Sequence, residues 1–398
     1  MHVALLSREY PPDVYGGAGV HVEYLARELS KLTQVTVHCW GEPRPGATPP
    51  VVAHQPWDAL GGSEPYMAAL ATLSTDLTMA AATGGVTIAH SHTWYANMGG
   101  HFAKLIHDIP HVATVHSLEP MRPWKAEQLG GGYRLSSFCE RTALEAADAV
   151  IAVSAGHRGD IVRSYPAIDP AKIHVILNGI DTDEYRPDPA TDVLEQFGID
   201  PARPIVTFVG RITRQKGLTH LLDAARHIDP AAQLVLCAGA PDTPQIAAEI
   251  ADKATALQAE HGNVIWIADM RPRPELIQIL SHTDVFVCPS IYEPLGIVNL
   301  EAMACGAAVV ASAVGGIPEV VVDDVTGKLV PYEAVSDGTG TPTDPDRFAR
   351  DFAAAVNSLL GDPETARKMG QAGRDRTVQE FSWTTIAHQT LDLYLSLS

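Results

Sequence analysis

The sequence predicts an α/β protein of two doubly wound domains, in which helices cover both faces of parallel sheets. Short apolar runs, typical of buried parallel strands, alternate with segments of helical spacing. A proline-rich stretch over 186–204 interrupts this alternation, which begins again at Ile205–Val209. We therefore expect one domain before the stretch and a second after it, the two facing a central cleft.

The first domain begins with the apolar strand Val3–Leu6, a glycine turn and a helix with one apolar face. In such a strand–turn–helix unit, backbone at Gly16–Gly17–Ala18–Gly19 could approach a phosphate. A dinucleotide fingerprint is not indicated, because Val22 stands where that motif needs glycine or alanine. Later strands are expected at Val35–Trp40, Val86–Ile88, Val112–Val115, Val150–Val153 and Ile173–Leu177, with helices over 63–84 and 135–147.

The second domain repeats the pattern, and its first strand leads through Gly210–Gly217 into a helix over 218–228. Further strands are expected at Leu234–Cys237, Val264–Ile267, Val285–Cys288 and Ala308–Ala311. A polar loop over 336–346 precedes helices from 347 to 372. The last segment, 382–398, has helical spacing with a candidate N-cap at Ser382, so it is expected to pack as a helix.

Charge and composition limit the partners. A net charge of −19 over 398 residues argues against nucleic acid and anionic membranes, which are bound by excess lysine and arginine. No apolar run approaches the ~18 residues of a membrane span, and the N-terminal residues lack the features of a secretory signal. The five cysteines are scattered, which favours a reducing cytoplasm. The sequence does not decide whether the protein forms a homo-oligomer.

The most informative stretch is 290–306, where a strand leads through a loop carboxylate into a helix. Glu293 lies before the helix, Glu301 lies within it, and Gly296 precedes its first turn. The N–H groups of Gly296, Ile297 and Val298 would favour an anion such as phosphate. Two carboxylates beside an anion site suggest a phosphorylated, polyhydroxylated ligand, whereas the two glutamates alone would also suit an ordinary solvated helix start.

Two basic residues in the second domain suit the same ligand. Arg211 and Lys216 lie in the loop after the domain's first strand, so they could converge on a diphosphate. A sugar nucleotide reacts by losing its diphosphate, and catalysis must stabilise the negative charge that grows there. With these two cations no metal cofactor is required, and we expect metal-independent chemistry.

Six histidines lie between positions 90 and 116, so a metal cluster must be considered. His90 and His92 could face the same way, but neither an HExxH pair nor a cysteine pair accompanies them, and no metal site is predicted. Instead, His92 and His116 each close an apolar strand and should line the ligand cleft, with Tyr95 nearby. His101, His107 and His111 are expected at the surface or at helix ends.

The segment 120–133 is a long loop rich in proline and glycine. It carries Arg122 and Lys125, and Arg134 follows it. These cations suit an acceptor phosphate, although a mobile solvated lid with incidental charges explains the segment equally well. The Asp181–Thr182–Asp183 pattern is interpreted as a turn rather than a manganese site, since it follows a strand and leads into prolines.

Taken together, the motifs resemble the retaining glycosyltransferases of the GT-B fold (family 4 type) over essentially the full length. A glycine loop, His116, Gly-Arg-x4-Lys-Gly at 210–217, Glu-x7-Glu at 293–301 and Gly-Gly-x-Pro-Glu at 315–319 occur in the family order. The resemblance implies a first domain over 1–185, a nucleotide-sugar domain over 186–381, and a final helix over 382–398 that crosses back to the first.

The resemblance also implies roles for single residues. Gly16 and Gly17 contact phosphate, His116 holds the donor sugar, and Arg211 and Lys216 bind the diphosphate. Glu293 holds sugar hydroxyls, Gly296, Ile297 and Val298 give backbone contacts, Glu301 binds ribose, and backbone near Met270 and Arg271 contacts the base. Apart from the resemblance, we expect His92, Tyr95, Arg122, Lys125 and Arg134 to contact the acceptor, with the three cations, or a subset, binding its phosphate.

No carboxylate stands out as the nucleophile that a covalent double displacement would need. The resemblance instead implies front-face transfer with retention, in which the departing phosphate oxygen takes the acceptor proton.

Within this fold family, the segments 7–21 and 116–125 resemble the actinobacterial glycogen synthases and α-maltose-1-phosphate synthases. That family transfers glucose from ADP-glucose to glucose 1-phosphate and can extend α-1,4-glucans. Thr93 and Tyr15–Gly16–Gly17 depart from the pattern of glycogen synthases that make long glucans. A related transferase with a glucan, inositol phosphate or lipid-linked acceptor, and a non-catalytic nucleotide-sugar binding protein, are the alternatives.

Overall fold

The computed structural model describes residues 1–14, 16–335 and 339–397, without the side chain of Gln128. Tyr15 and the first residues of the polar loop expected over 336–346 thus lie outside the described residues. The chain divides into two compact units. The N-terminal unit comprises Met1–Gly179 and Trp383–Ser398, and the C-terminal unit comprises Ile180–Ser382.

The N-terminal unit is built on a parallel sheet of seven strands in the order β3-β2-β1-β4-β5-β6-β7. The strands are β1 (His2–Ser7), β2 (Gln34–Trp40), β3 (Val51–His54), β4 (Ile88–His92), β5 (His111–Val115), β6 (Ala149–Ala152) and β7 (Ile173–Val175). Both β2 and β4 pair with β1 in parallel. The strand order therefore reverses at β1, and the crevice between β1 and β4 is the topological switch point of this sheet.

Six helices of this unit lie between its strands, namely α1 (Gly17–Leu29), α2 (Met67–Ala82), α3 (Trp94–His107), α4 (Lys125–Leu129), α5 (Gly132–Ala146) and α6 (Ala155–Ser164). Single 3₁₀ turns lie at Asp58–Leu60, Glu119–Met121 and Pro170–Lys172. The expected loop over 120–133 is thus partly helical, and α5 begins before the predicted start at 135. Strand β3 and helix α6 were not predicted from the sequence.

The C-terminal unit has a parallel sheet of six strands in the order β10-β9-β8-β11-β12-β13. The strands are β8 (Ile205–Arg211), β9 (Gln233–Gly239), β10 (Val264–Ile267), β11 (Val285–Cys288), β12 (Ala308–Ser312) and β13 (Gly327–Val330). Since β8 pairs with both β9 and β11, the switch point of this sheet lies between β8 and β11. The edge strand β13 was not predicted.

The helices of the C-terminal unit are α7 (Asp192–Phe197), α8 (Leu218–Ala225), α9 (Pro244–His261), α10 (Arg273–Ser281), α11 (Ile297–Ala304), α12 (Ile317–Val320), α13 (Pro345–Leu360) and α14 (Pro363–Glu380). A 3₁₀ turn lies at Arg214–Lys216. Helices α8 and α13 pack on the sheet through one continuous apolar core. The strands read as unbroken apolar runs because both sheet faces are covered.

The last helix, α15 (Trp383–Ser396), belongs to the N-terminal unit although it follows the whole C-terminal unit in sequence. It packs on α1, where the ring of Trp383 stacks on that of Tyr24 at 5.6 Å between centroids. Farther along, the hydroxyl of Tyr394 hydrogen bonds to His90 inside the sheet. A side chain at Gly179 would collide with Trp383, so glycine is needed where the chain passes this ring.

No helix among the described residues is long and apolar enough to cross a lipid bilayer. The five cysteines are all buried and unlinked.

Candidate functional site

In the C-terminal unit, the loops that follow β8 and β11 bring a cation and an anion together at the switch point. Lys216 Nζ lies 2.6 Å from Glu293 Oε2. Both side chains are mostly shielded, with relative exposures of 24% for Lys216 and 8% for Glu293. Ligands of doubly wound sheets bind at this position, so the pair marks the candidate site of this unit.

Glycine holds the Lys216 loop against the Glu293 loop. Gly217 has φ of +65°, and a Cβ there would lie 2.0 Å from the carbonyl oxygen of Pro289. The N–H of Ile291 donates to the carbonyl of Gln215 at 2.9 Å. The two loops therefore form one rigid element, which explains why lysine is followed directly by glycine.

The Gly-Gly-x-Pro-Glu motif fixes the other side of the Glu293 loop. Gly315 has φ of +55°, and a Cβ there would lie 2.0 Å from the carbonyl oxygen of Glu293. Gly316 donates its N–H to that same carbonyl at 2.9 Å. The two glycines thus orient the backbone that carries the candidate carboxylate, and this support is what the motif contributes.

The electrostatics of the pair favour a charged lysine. Burial alone would lower the pKa of Lys216, but the carboxylate of Glu293 outweighs it and raises this pKa above its ordinary value. The hydroxyl of Ser290 also donates to Glu293 Oε2, at 3.3 Å. An incoming anion would therefore meet a fully protonated ammonium whose position is already fixed.

Helix α11 begins beside this pair. Gly296 adopts φ of +94°, and a Cβ there would lie 2.6 Å from Asn299 Nδ2. The N–H groups of Ile297 and Val298 lie in the first turn, where no partner exists within the helix. Asn299 is fully buried, and its amide atoms have no hydrogen-bond partner among the described residues. Asn299 was not among the predicted site residues, because its position fits the ordinary spacing of a helix.

Glu301 lies one turn farther along α11. Its Oε1 accepts a hydrogen bond from the hydroxyl of Tyr185 at 3.1 Å. Burial raises the pKa of Glu301 above its ordinary value. Tyr185 was interpreted as part of a linker, and only the folded chain places it against this carboxylate.

The other donor-side candidates already have partners. Arg211 forms an ion pair with Asp242. Arg271 pairs with Glu275 at 2.7 Å and also covers the ring of Phe197. Met270 is 56% exposed.

In the N-terminal unit, the glycine loop closes around a carboxylate. The N–H of Gly16 donates to Glu9 Oε2 at 2.8 Å, and a Cβ on Gly19 would lie 2.7 Å from that oxygen. Gly17 is exposed at the start of α1. The loop therefore presents open backbone to solvent, as expected for an anion contact, but a carboxylate already takes one of its N–H groups.

Three histidines meet near the carboxyl ends of β4 and β5. His92 Nδ1 lies 3.1 Å from His116 Nε2, and the ring of His21 lies 5.3 Å from the first ring and 4.7 Å from the second, centroid to centroid. Burial lowers the pKa of His21 to about 4 and lowers the pKa values of the other two well below their ordinary value. All three are therefore neutral near pH 7.

The remaining histidines of the 90–116 run have structural positions, and one expectation for them was wrong. His111 lies in β5, fully buried, with Nε2 2.7 Å from the hydroxyl of Ser91. It was expected at the surface, but Gly100 makes room for its ring inside the unit. His90 is also buried, 2.6 Å from the hydroxyl of Thr114. His107 ends α3 as expected.

An aromatic and cationic cluster lies at the ends of β1 and β2 and the start of α3. The guanidinium of Arg8 lies 5.1 Å from the ring centroid of Trp40 and 4.4 Å from that of Tyr95. Such stacking fixes the plane of a guanidinium, and arginine is a residue that binds oxyanions well. Arg8 was not a predicted site residue, although it directly follows the first strand, a position where residues of such sheets contact ligands.

Lys125, one of the three cations predicted to bind the acceptor, is buried in an ion pair. It is 3% exposed, and its Nζ lies 2.7 Å from Glu119 Oε1, which is 1% exposed. Burial, with the nearby carboxylate of Glu119, raises the pKa of Glu140 to about 8. Ser136 also donates to Glu119, at 2.6 Å. The Lys125 ammonium is therefore committed to a buried network, because an unpaired carboxylate there would be costly.

The two arginines of this region are more available. Arg122 is half-buried, donates from Nη1 to the hydroxyl of Ser117 at 2.9 Å, and has a buried Nε without a hydrogen-bond partner among the described residues. Arg134 is exposed on α5. Of the three predicted acceptor cations, Arg122 thus has the position that best suits a bound anion.

Two family models match the chain. The model described as "Glycosyltransferase Family 4" matches residues 15–184, and the model described as "Glycosyl transferases group 1" matches residues 191–376. They correspond closely to the two units of the structure.

Full-length relatives are found among both sequences and structures. The α-maltose-1-phosphate synthase of Mycolicibacterium smegmatis is 56% identical, with 100% of both chains covered. A D-inositol 3-phosphate glycosyltransferase of Corynebacterium aurimucosum is 30% identical over 99% of this chain and 94% of its own. The structure of a sucrose-phosphate synthase from Thermosynechococcus elongatus superposes with a TM-score of 0.78 at 26% identity, covering 100% of this chain and 99% of that one.

Proposed function

Because the chain belongs to the GT-B glycosyltransferases of the α-maltose-1-phosphate synthase family, we propose that it transfers glucose from ADP-glucose to α-glucose 1-phosphate. The products are ADP and α-maltose 1-phosphate, which places the enzyme in α-glucan synthesis. Elongation of short α-1,4-glucans is a second use of the same site. The observation that carries the proposal is the Lys216–Glu293 pair at the switch point of the C-terminal unit.

On the donor side, Lys216 binds the diphosphate and Glu293 holds hydroxyls of the transferred glucose. The α11 N-terminus at Ile297 and Val298 adds backbone N–H groups for the phosphate next to the sugar. Glu301, oriented by Tyr185, accepts from the ribose. As phosphate enters, the Lys216 ammonium exchanges its contact with Glu293 for one with the diphosphate, where negative charge grows during transfer.

The reaction exchanges one bond at the anomeric carbon. The bond from this carbon to the β-phosphate oxygen breaks, and a bond to an acceptor hydroxyl oxygen forms on the same face, so the configuration is retained. The departing phosphate oxygen takes the acceptor proton. His116 holds the transferred sugar and, being neutral and buried, contributes a hydrogen bond rather than a charge.

Phosphate recognition on the acceptor side falls to the arginines of the N-terminal unit. Each of the three relatives is named for a sugar phosphate or an inositol phosphate, which supports an acceptor with a phosphate group. Arg122 and Arg8 have the geometry for it, since one has an unpartnered buried Nε and the other is oriented by two aromatic rings. His92 and Tyr95 then lie beside the acceptor sugar.

An inositol phosphate acceptor is the second candidate, favoured by the relative at 30% identity over nearly the whole chain. Product analysis separates the two. The protein is incubated with ADP-glucose or UDP-glucose, and with glucose 1-phosphate, inositol 3-phosphate, a short maltooligosaccharide or no acceptor. A disaccharide phosphate formed from ADP-glucose and glucose 1-phosphate, identified by mass and by phosphatase treatment, supports the proposal. Product with inositol phosphate alone would overturn it.

Catalysis should not need a divalent ion, because Lys216 and the helix N-terminus carry the charge of the diphosphate. We expect protein freed of metal by dialysis to have the same initial rate in excess EDTA as with added Mg²⁺ or Mn²⁺. Activity that disappears with the chelator and returns with manganese would show that a metal performs this role.

Replacing Arg122 by glutamine should raise the KM for glucose 1-phosphate while leaving the KM for ADP-glucose and glucan extension nearly unchanged. The change removes a charge that only a phosphorylated acceptor uses, worth roughly 10-fold or more for a charged hydrogen bond. Arg158→Gln serves as the matched control, because this arginine of α6 donates to the backbone carbonyls of Pro170 and Ile173. Equal loss with both acceptors would mean that Arg122 supports the fold of the segment rather than the phosphate.

A further inference from the structure

The cluster of His21, His92 and His116 has the composition of a transition-metal site. Its members come from α1, from the end of β4 and from the residue after β5. One ring nitrogen of each lies within 4.8 Å of the other two. Imidazole nitrogens suit zinc, copper and nickel ions. From sequence spacing, His92 was expected to share a face with His90. In the structure, the third member of the cluster is instead His21 from α1.

The spacing of the nitrogens is close to what a bound ion requires. A tetrahedral zinc ion with Zn–N bonds of about 2.0–2.1 Å holds its nitrogens about 3.3 Å apart. His92 Nδ1 and His116 Nε2 share a hydrogen bond and are already 3.1 Å apart, so the donating ring would move this proton to its other nitrogen when both rings bind an ion. Because no nitrogen of the set exceeds 4.8 Å from another, the third must move by only about 1.5 Å.

The hydrogen bond to His21 prepares it as a ligand. His21 Nδ1 lies 2.7 Å from Asn178 Oδ1, and an amide oxygen only accepts, so Nδ1 carries the proton. Nε2 therefore holds a lone pair, and it is buried without a hydrogen-bond partner among the described residues. Histidine ligands of metals are almost always oriented in this way through their other nitrogen.

We infer that His21, His92 and His116 bind one divalent transition-metal ion of the zinc, copper and nickel class. Three neutral imidazoles leave a fourth position for water, as in other three-histidine sites. Under the proposed function, His116 holds the transferred sugar, so an ion here acts as an inhibitor and not as a cofactor. The binding rests on geometry alone, whereas the inhibition rests also on the proposed function.

Binding is measured on metal-free full-length protein, by titrating Zn²⁺ in competition with a chromophoric chelator. Co²⁺ reports the geometry, because four-coordinate Co²⁺ absorbs visible light far more strongly than the hexaaqua ion. We expect one tightly bound Zn²⁺ per chain and the strong Co²⁺ bands. His21→Gln should abolish both. His388→Gln, which removes an exposed histidine of α15, should change neither.

A second variant keeps the test decisive if His21→Gln does not fold, as judged by circular dichroism. Asn178→Ala retains all three ligands but frees His21, and it should weaken Zn²⁺ binding roughly 10- to 100-fold. Wild-type affinity in the folded His21→Gln protein, or in Asn178→Ala, would overturn the site. Absence of the strong Co²⁺ bands in the wild-type protein would overturn it too.

Activity is measured separately, with Zn²⁺ added to the transferase assay. We expect inhibition of the wild-type enzyme that excess EDTA reverses. If Zn²⁺ binds in the titration but does not inhibit, the site stands and the role proposed for His116 is wrong. Stimulation by Zn²⁺ would instead contradict the inhibitory role.

Discussion

Replacing Lys216 with alanine should lower kcat/KM for glucosyl transfer by roughly 10²-fold or more, mostly through kcat. The ammonium is fixed by Glu293 and by the glycine that follows it, so its position is preorganised for charge that grows on the leaving diphosphate. An interaction that strengthens in the transition state affects kcat, whereas uniform substrate binding would affect only KM. Steady-state rates at varied ADP-glucose measure the two separately.

Lys253 offers the matched control. It pairs with Asp223 at 2.6 Å on α9 and α8 of the same unit, and both side chains are partly exposed. Lys253→Ala should therefore leave kcat/KM unchanged. If Lys216→Ala retains activity within a few-fold of wild type while folding normally, the diphosphate is stabilised by other groups, with Arg211 the first to examine.

Replacing Lys125 with methionine should destabilise the N-terminal unit by about 3–5 kcal/mol, because it leaves the Glu119 carboxylate buried without its cation. Lys253→Met removes one partner of an exposed pair and should cost at most about 1 kcal/mol. Urea unfolding of the wild-type protein and both variants measures the difference. The double variant Lys125→Met, Glu119→Gln should recover much of the loss, since it removes the unpaired charge itself.

The same variant also tests the earlier interpretation of Lys125 as a ligand of the acceptor phosphate. That interpretation expects unchanged stability and a higher KM for glucose 1-phosphate alone. If Lys125 instead serves the buried ion pair, the variant should be less stable and, near its unfolding midpoint, should lose activity toward every acceptor. The two expectations differ in both measurements.

The donor-side pair could be anticipated from the sequence because two independent patterns coincide there. Parallel strands covered on both faces appear as apolar runs, so the positions where β8 and β11 end are visible. Charged residues that follow neighbouring strands of such a sheet meet at one edge. Lys216 and Glu293 satisfy both conditions, and the glycines beside them have no other explanation in the sequence.

Burial of charge was not predictable in the same way. Lys125 and Glu119 lie in a segment rich in proline and glycine, where composition indicates a solvated loop. Whether a lysine there is exposed depends on how α4 and α5 pack, and that packing leaves no periodic signal in so short a helix. For the same reason His21 was not predicted to belong to a cluster, because His92 and His116 are far from it in sequence.

Two edge strands, β3 and β13, were missed for a related reason, although the edge strands β7 and β10 were predicted. β3 and β13 have four residues each and pair on one side only. Strands at an edge need less continuous apolarity than central ones, so their pattern is weak. Their absence from the prediction did not affect the site, because both switch points lie between central strands.

The position of α15 has a consequence for synthesis on the ribosome. The N-terminal unit packs this helix against α1 through Trp383 and against β4 through Tyr394, yet these residues are translated only after the whole C-terminal unit. Until then the apolar side of α1 lies uncovered in the nascent chain. Units usually fold in the order in which they emerge. Here the unit that emerges first is completed last, and chaperones have the longest time to engage it.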